Sequence, residues 1–158
     1  FWLDEATLAV GKGFRSNDAG ISQLRDIVSA EGIEVIQFDL PFYKGPDACL
    51  HLMSLVSPLD NDLALVFKPL LPDGLEELMG DFGFDLIEAS ESEFEESLGL
   101  SLNVLATEPR KVIAIHGFPE THRLMIESGC SVSLFNGDEL CIPCEGGPTC
   151  LTRPILRS

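Results

Sequence analysis

Lys111–Phe135 reads K-V-I-A-I-H-G-F-P-E-T-H-R-L-M-I-E-S-G-C-S-V-S-L-F. An apolar run, Val112 to Ile115, predicts a strand. Pro119 suits the first position of a helix, and Pro119 to Glu127 predicts that helix. Gly129 stops it, and Cys130 to Phe135 predicts a second strand.

The same pattern occurs twice upstream. Thr7 to Phe14 (T-L-A-V-G-K-G-F) reads as a strand, with a helix from about Asp18 to Ala30. Ser16 and Asn17 are candidate N-caps, and Ile21, Leu24, Ile27 and Val28 mark an apolar stripe. Gly32 ends that helix, and Ile33 to Phe38 alternates as a strand. In the middle copy, Leu63 to Phe67 is a strand, Asp73 to Met79 a helix and Phe84 to Ile87 a strand after Gly83. A further extended run precedes two of the copies, Leu50 to Val56 and Ser101 to Ala106; the matching run of the first copy falls at or before Phe1. The unit is therefore β-β-α-β with a period of roughly 50 residues, a length typical of propellers, solenoids and arrays. We expect an α+β fold in a single domain, 1–158, with repeats at about 1–45, 46–97 and 98–158. A radial arrangement hides sheet edges, whereas three copies standing alone would leave edges that drive self-association.

Composition narrows the function. Twenty-six acidic residues face 10 basic ones among 158, a formal charge of −16. Nucleic-acid binding needs a basic surface, and an anionic membrane attracts one, so neither partner is expected. A cationic ligand is favoured by the long-range field. The run Glu88 to Glu96 (E-A-S-E-S-E-F-E-E) reads as a solvated connection or short helix. No stretch approaches the roughly 18 to 20 apolar residues of a membrane span. Five cysteines, an odd number, with no secretion signal fit free thiols in a reducing cytoplasm. Cys49 and Cys130 lie in apolar contexts suited to the core.

Two short segments suggest chemistry. In Glu145-Gly146-Gly147-Pro148-Thr149-Cys150-Leu151-Thr152-Arg153, a thiol follows a glycine-rich turn and enters an apolar run, which predicts a cysteine at the mouth of a strand. In Asp47-Ala48-Cys49-Leu50-His51-Leu52-Met53-Ser54-Leu55, a histidine lies in an alternating apolar run. A cysteine and a histidine far apart in sequence can serve together as nucleophile and acid/base. Each also has an ordinary role, as a buried strand cysteine and a hydrogen-bonded core histidine. His116 and His122 read as structural. Cys141-Ile142-Pro143-Cys144 has redox-like spacing, but Glu145 to Pro148 cannot continue as the helix such a motif needs. Zinc bound by Cys141, Cys144 and Cys150, or a regulatory disulfide among them, are the other readings of that cluster. Asp47 precedes His51 by four residues, and beside Gly45-Pro46 it reads first as turn chemistry.

Together with F-W-L-D-E-A-T-L-A-V-G from Phe1 and F-R-S-N-D-A-G-I from Phe14, the segments D-A-C-L-H-L-M-S-L and G-G-P-T-C-L-T-R-P make the chain resemble the pentein superfamily of guanidine-modifying enzymes. These are arginine deiminases, dimethylarginine dimethylaminohydrolases and amidinotransferases. The resemblance covers nearly the whole chain. It implies an α/β propeller of five β-β-α-β units, of which these would be the C-terminal three, with more chain before Phe1. It implies Cys150 as nucleophile, His51 as general acid/base and Arg15 as the residue that holds the substrate's carboxylate. The carboxylate that pairs with the histidine, and the acidic residues that grip the guanidinium, would lie before Phe1. Met53 stands where arginine deiminases carry an aspartate, which argues against an ordinary arginine deiminase.

The implied chemistry is a thiolate attack on the guanidinium carbon, a thiouronium intermediate, and His51 acting as acid and then base, with no metal or organic cofactor. The residues leave water and amine open as acceptor, and hence hydrolase and amidinotransferase. Two other functions compete: a non-catalytic fragment that binds ligand or self-assembles, for instance as a homo-oligomer that completes the propeller, and a cysteine-based metal or redox module.

Overall fold

The computed structural model describes residues 1–45, 50–153 and 155. Cys49 and Asp47 lie outside the described residues. The chain divides into two compact units, Phe1–Leu55 with Lys68–Asp85, and Val56–Phe67 with Leu86–Ser158.

In the first unit, β1 (Thr7–Lys12) and β2 (Glu34–Asp39) pair in parallel, Thr7 opposite Glu34 and Lys12 opposite Asp39. Helix α1 (Asp18–Ser29) connects them, and Asn17 caps it by accepting the Gly20 N–H at 2.9 Å. Ile21 is the buried residue of α1, whereas Ile27 stands exposed, so the expected apolar stripe is only partly used. An isolated antiparallel bridge pairs Trp2 with Leu8, just after the place, at or before Phe1, expected for the first copy's leading strand. Helix α2 (Leu75–Asp81) buries Leu75 and Met79.

The second unit holds two three-stranded sheets. In one, β4 (Leu63–Val66) lies between β3 (Val56–Pro58) and β5 (Asp85–Glu88). All four β4 residues are buried, which explains a continuous apolar run in place of alternation. In the other, β7 (Lys111–Ile115) runs antiparallel to β6 (Leu105–Glu108) and parallel to β8 (Ser131–Phe135), with α4 (Pro119–Glu127) as the crossover. Pro119 opens α4 as the sequence predicts. Gly32, Gly83 and Gly129 all adopt positive φ, between 76° and 88°, so one left-handed glycine follows the helix of each copy and turns the chain into its returning strand.

The acidic run forms helix α3 (Glu91–Glu96), with Phe94 as its buried residue. The Phe94 ring stacks on Phe67 with centroids 3.7 Å apart. The Glu93 carboxylate accepts the Glu120 and Thr121 N–H groups, each at 2.8 Å, and so caps α4. Arg110 ties three segments together. It donates to Asp60 at 2.9 Å, Asp62 at 2.8 Å and the Ser128 carbonyl at 2.9 Å. Cys130 is buried, as its apolar context predicts. His122 is buried too, with Nε2 unpaired, and burial lowers its pKa from the ordinary histidine value. Among the described residues, no helix is long and apolar enough to cross a membrane.

Two expected strands are differently built. The run Leu50 to Val56 contains a 3₁₀ turn, Leu52–Ser54, before β3 begins at Val56. The run Ser101 to Ala106 contains another, Leu100–Leu102, before β6 begins at Leu105. Short apolar runs do not distinguish strand from a tight helical turn by periodicity.

Candidate active site

Cys150 is exposed and lies in α5 (Pro148–Leu151), a single helical turn, where the sequence predicted a strand. Gly147 is extended, and Pro148 then takes the first helical position, where its missing N–H costs nothing. The turn closes through Gly147 O, which accepts from Cys150 N at 3.1 Å and Leu151 N at 3.2 Å.

Asn103 is not among the residues that the sequence singles out, and it is only 9% exposed. Its Nδ2 donates to Cys150 Sγ at 3.0 Å. Its Oδ1 accepts from Thr149 N at 3.0 Å and Thr149 Oγ1 at 2.5 Å. A Cβ at Gly147 would lie 2.5 Å from Asn103 Cγ, so glycine is required there by close approach. Asn103 follows the Leu100–Leu102 turn.

Cys141 is fully buried, and burial pushes its thiol pKa up, with neighbouring Cys144 and Cys150 adding to the rise. Cys144 is exposed, and the chain turns after it, Gly146 N donating to Cys141 O at 3.0 Å. Among the described residues, no group of three His, Cys, Asp or Glu side chains could hold a metal ion.

His51 belongs to the first unit. Its backbone is extended and leads into the Leu52–Ser54 turn. Ser54 fixes that junction, its N–H donating to His51 O at 2.8 Å and its Oγ accepting from His51 N at 3.3 Å. Desolvation by surrounding protein lowers the His51 pKa from 6.5, and the Arg15 cation lowers it further. Both effects favour the neutral imidazole. Arg15 lies in the β1–α1 connection, between Gly13 and Ser16, whose backbones bond reciprocally at 3.2 and 3.4 Å. It lines a groove with Phe14, Asn17, Ile21 and Leu24. The structure thus brings Arg15 within electrostatic range of His51 in the first unit and joins Asn103 to Cys150 in the second. Replacing Arg15 with glutamine should raise the His51 titration midpoint, as followed by its imidazole NMR shifts. An unchanged midpoint would exclude the coupling.

No family model matches the chain, and no curated protein matches it in sequence. Solved structures do. SxtG, an amidinotransferase of the saxitoxin biosynthetic pathway from Microseira wollei, superposes with a TM-score of 0.72 at 18% identity, over 96% of this chain and 46% of that one. A dimethylarginine dimethylaminohydrolase from Pseudomonas aeruginosa, in complex with citrulline, gives 0.65 at 20% identity, over 91% and 49%. The N-terminal domain of ArgZ, a cyanobacterial arginine dihydrolase, bound to product, gives 0.67 at 19% identity, over 94% and 52%. The chain shares with these structures part of the pentein fold. It spans about half the length of these structures.

Proposed function

We propose that this chain carries a thiol-dependent guanidino-modifying activity, acting on arginine or an arginine derivative as hydrolase or amidinotransferase. The observation that carries the reading is Cys150, an exposed thiol on a built turn with an amide donor at its sulfur, in a fold shared with an amidinotransferase and two arginine-related hydrolases. Cys150 acts as its thiolate, formed beside the substrate cation. The thiolate attacks the guanidinium carbon, forming an S–C bond. The C–N bond to the leaving amine then breaks, and its electron pair takes a proton from the His51 imidazolium. A cationic S-alkyl thiouronium remains. Water or an acceptor amine attacks it, His51 takes the new proton, and the S–C bond breaks to release product and regenerate the thiolate. A guanidinium carbon is a poor electrophile, which is why a sulfur nucleophile suits the step. Arg15 holds the substrate's carboxylate, and the charge of −16 draws in the cationic end.

The lowered His51 pKa sets a pH dependence. His51 must carry a proton to serve as acid toward the leaving amine, so activity falls as pH rises through its lowered pKa, on the alkaline limb of kcat/KM. Product analysis tests the reading. Incubation with arginine or dimethylarginine yields citrulline with loss of ammonia or dimethylamine in the hydrolase case. Addition of an acceptor amine yields ornithine and a new guanidine in the transferase case. Binding of arginine without either product would favour the non-catalytic reading.

A further inference from the structure

We propose that Asn103 is a positioning residue for the nucleophile, holding Cys150 Sγ as a hydrogen-bonded, thiolate-favouring group. The inference rests on the reading of Cys150 as nucleophile. An asparagine amide can face either way, but here its partners decide. Thr149 N is a donor only, so the atom 3.0 Å from it must be Oδ1. The Thr149 hydroxyl donates to the same oxygen. Nδ2 is therefore left to face sulfur, and it does so at 3.0 Å. An N–H donated to sulfur stabilises the thiolate more than the thiol, because the acceptor gains a full charge.

The surroundings hold the amide in that pose. Asn103 is almost wholly buried, and the glycine at position 147 is what lets the turn approach it. Both Thr149 bonds come from the residue immediately before the cysteine. The Asn103 side chain therefore sets the position of the turn and the environment of the sulfur together. This is a different task from the acid/base role given to His51.

Asn103→Asp tests the proposal because it keeps the shape and the acceptor for Thr149, but puts a carboxylate where sulfur had a donor. The readout is Cys150 alkylation by iodoacetamide across pH, with exposed Cys144 in the same chain as internal reference. Iodoacetamide needs no guanidinium site, so this result stands apart from whether the protein turns over arginine. Cys150 alkylation at pH 7 should fall by about tenfold or more, and its pH profile should move to higher pH, as expected for a like charge set against a thiolate. Thr149→Val removes one bond to Asn103 without touching sulfur, and should give a smaller change of the same sign, roughly two- to fivefold at one lost hydrogen bond. It carries the test should the aspartate variant fail to fold. A merely structural role would lower the melting temperature and leave the pH profile in place. An unmoved profile and rate in the folded variants would overturn the proposal. Failure of guanidino turnover in the parent protein would instead strike at the function proposed above.

Discussion

Alanine at Cys150 is expected to lower guanidino turnover by roughly four orders of magnitude or more, the scale seen when a covalent nucleophile is removed. No other group in the proposed scheme can form the bond to the guanidinium carbon. The loss should appear in kcat, because in the proposed scheme the thiolate acts in the bond-forming step and not in substrate binding. The fold should tolerate the change. Cys150 is exposed, and the variant forfeits one hydrogen bond, from Asn103, worth about 1 kcal/mol. Serine is the sharper comparison. Its hydroxyl can accept the same amide N–H, yet it is a far weaker nucleophile near neutral pH, so it should be as inactive as alanine. Product-release assays with equal amounts of folded protein check both. A variant that retained a tenth of parent turnover would exclude Cys150 as nucleophile.

The largest expected loss of stability is at Phe94. Its side chain is 1% exposed, and its ring lies nearly parallel to Phe67, at 7°. Truncation to alanine removes a large apolar group and leaves a cavity, at a cost of roughly 3–5 kcal/mol. That is a large share of the roughly 5–15 kcal/mol that holds a domain folded. The consequence extends beyond packing. Glu93, the preceding residue, caps α4, so a loosened α3 also releases two α4 N–H groups. Chemical denaturation should show the fall in midpoint. Phe67→Ala should cost a comparable amount, and the double variant should cost less than the sum, because the two rings share one contact. An effect under about 1 kcal/mol for Phe94→Ala would show that the ring is not an anchor of this unit.

How far the sequence could be read depends on the local signals. Helix α4 was legible end to end because Pro119 opens it and Gly129 follows it, and both act through backbone geometry alone. The three left-handed glycines, Gly32, Gly83 and Gly129, made the repeat visible even where side chains differ. The acidic run was legible as a short helix, but one aromatic within it could not announce that it stacks on Phe67, 27 residues earlier.

The site was less legible. Cys150 and His51 stand out by residue type and context, but both were assigned to strands, and both lie at helical turns. Gly147-Pro148 was read as the approach to a strand, yet proline after an extended glycine is equally a helix start. His51 leads into one 3₁₀ turn and Asn103 follows another, each just ahead of the first strand of its repeat. The sequence showed those runs as extended, and so hid the turns on which two site residues sit. Asn103 could not be found at all, because its importance comes from a contact with residues 46 and 47 positions away.

The most direct test of the central claim is intact-mass spectrometry after exposure to a haloacetamidine, a small cationic guanidine mimic, with and without excess arginine. The account predicts one adduct, mapping to Cys150 and suppressed by arginine. Slow labelling of several cysteines, indifferent to arginine, would contradict it.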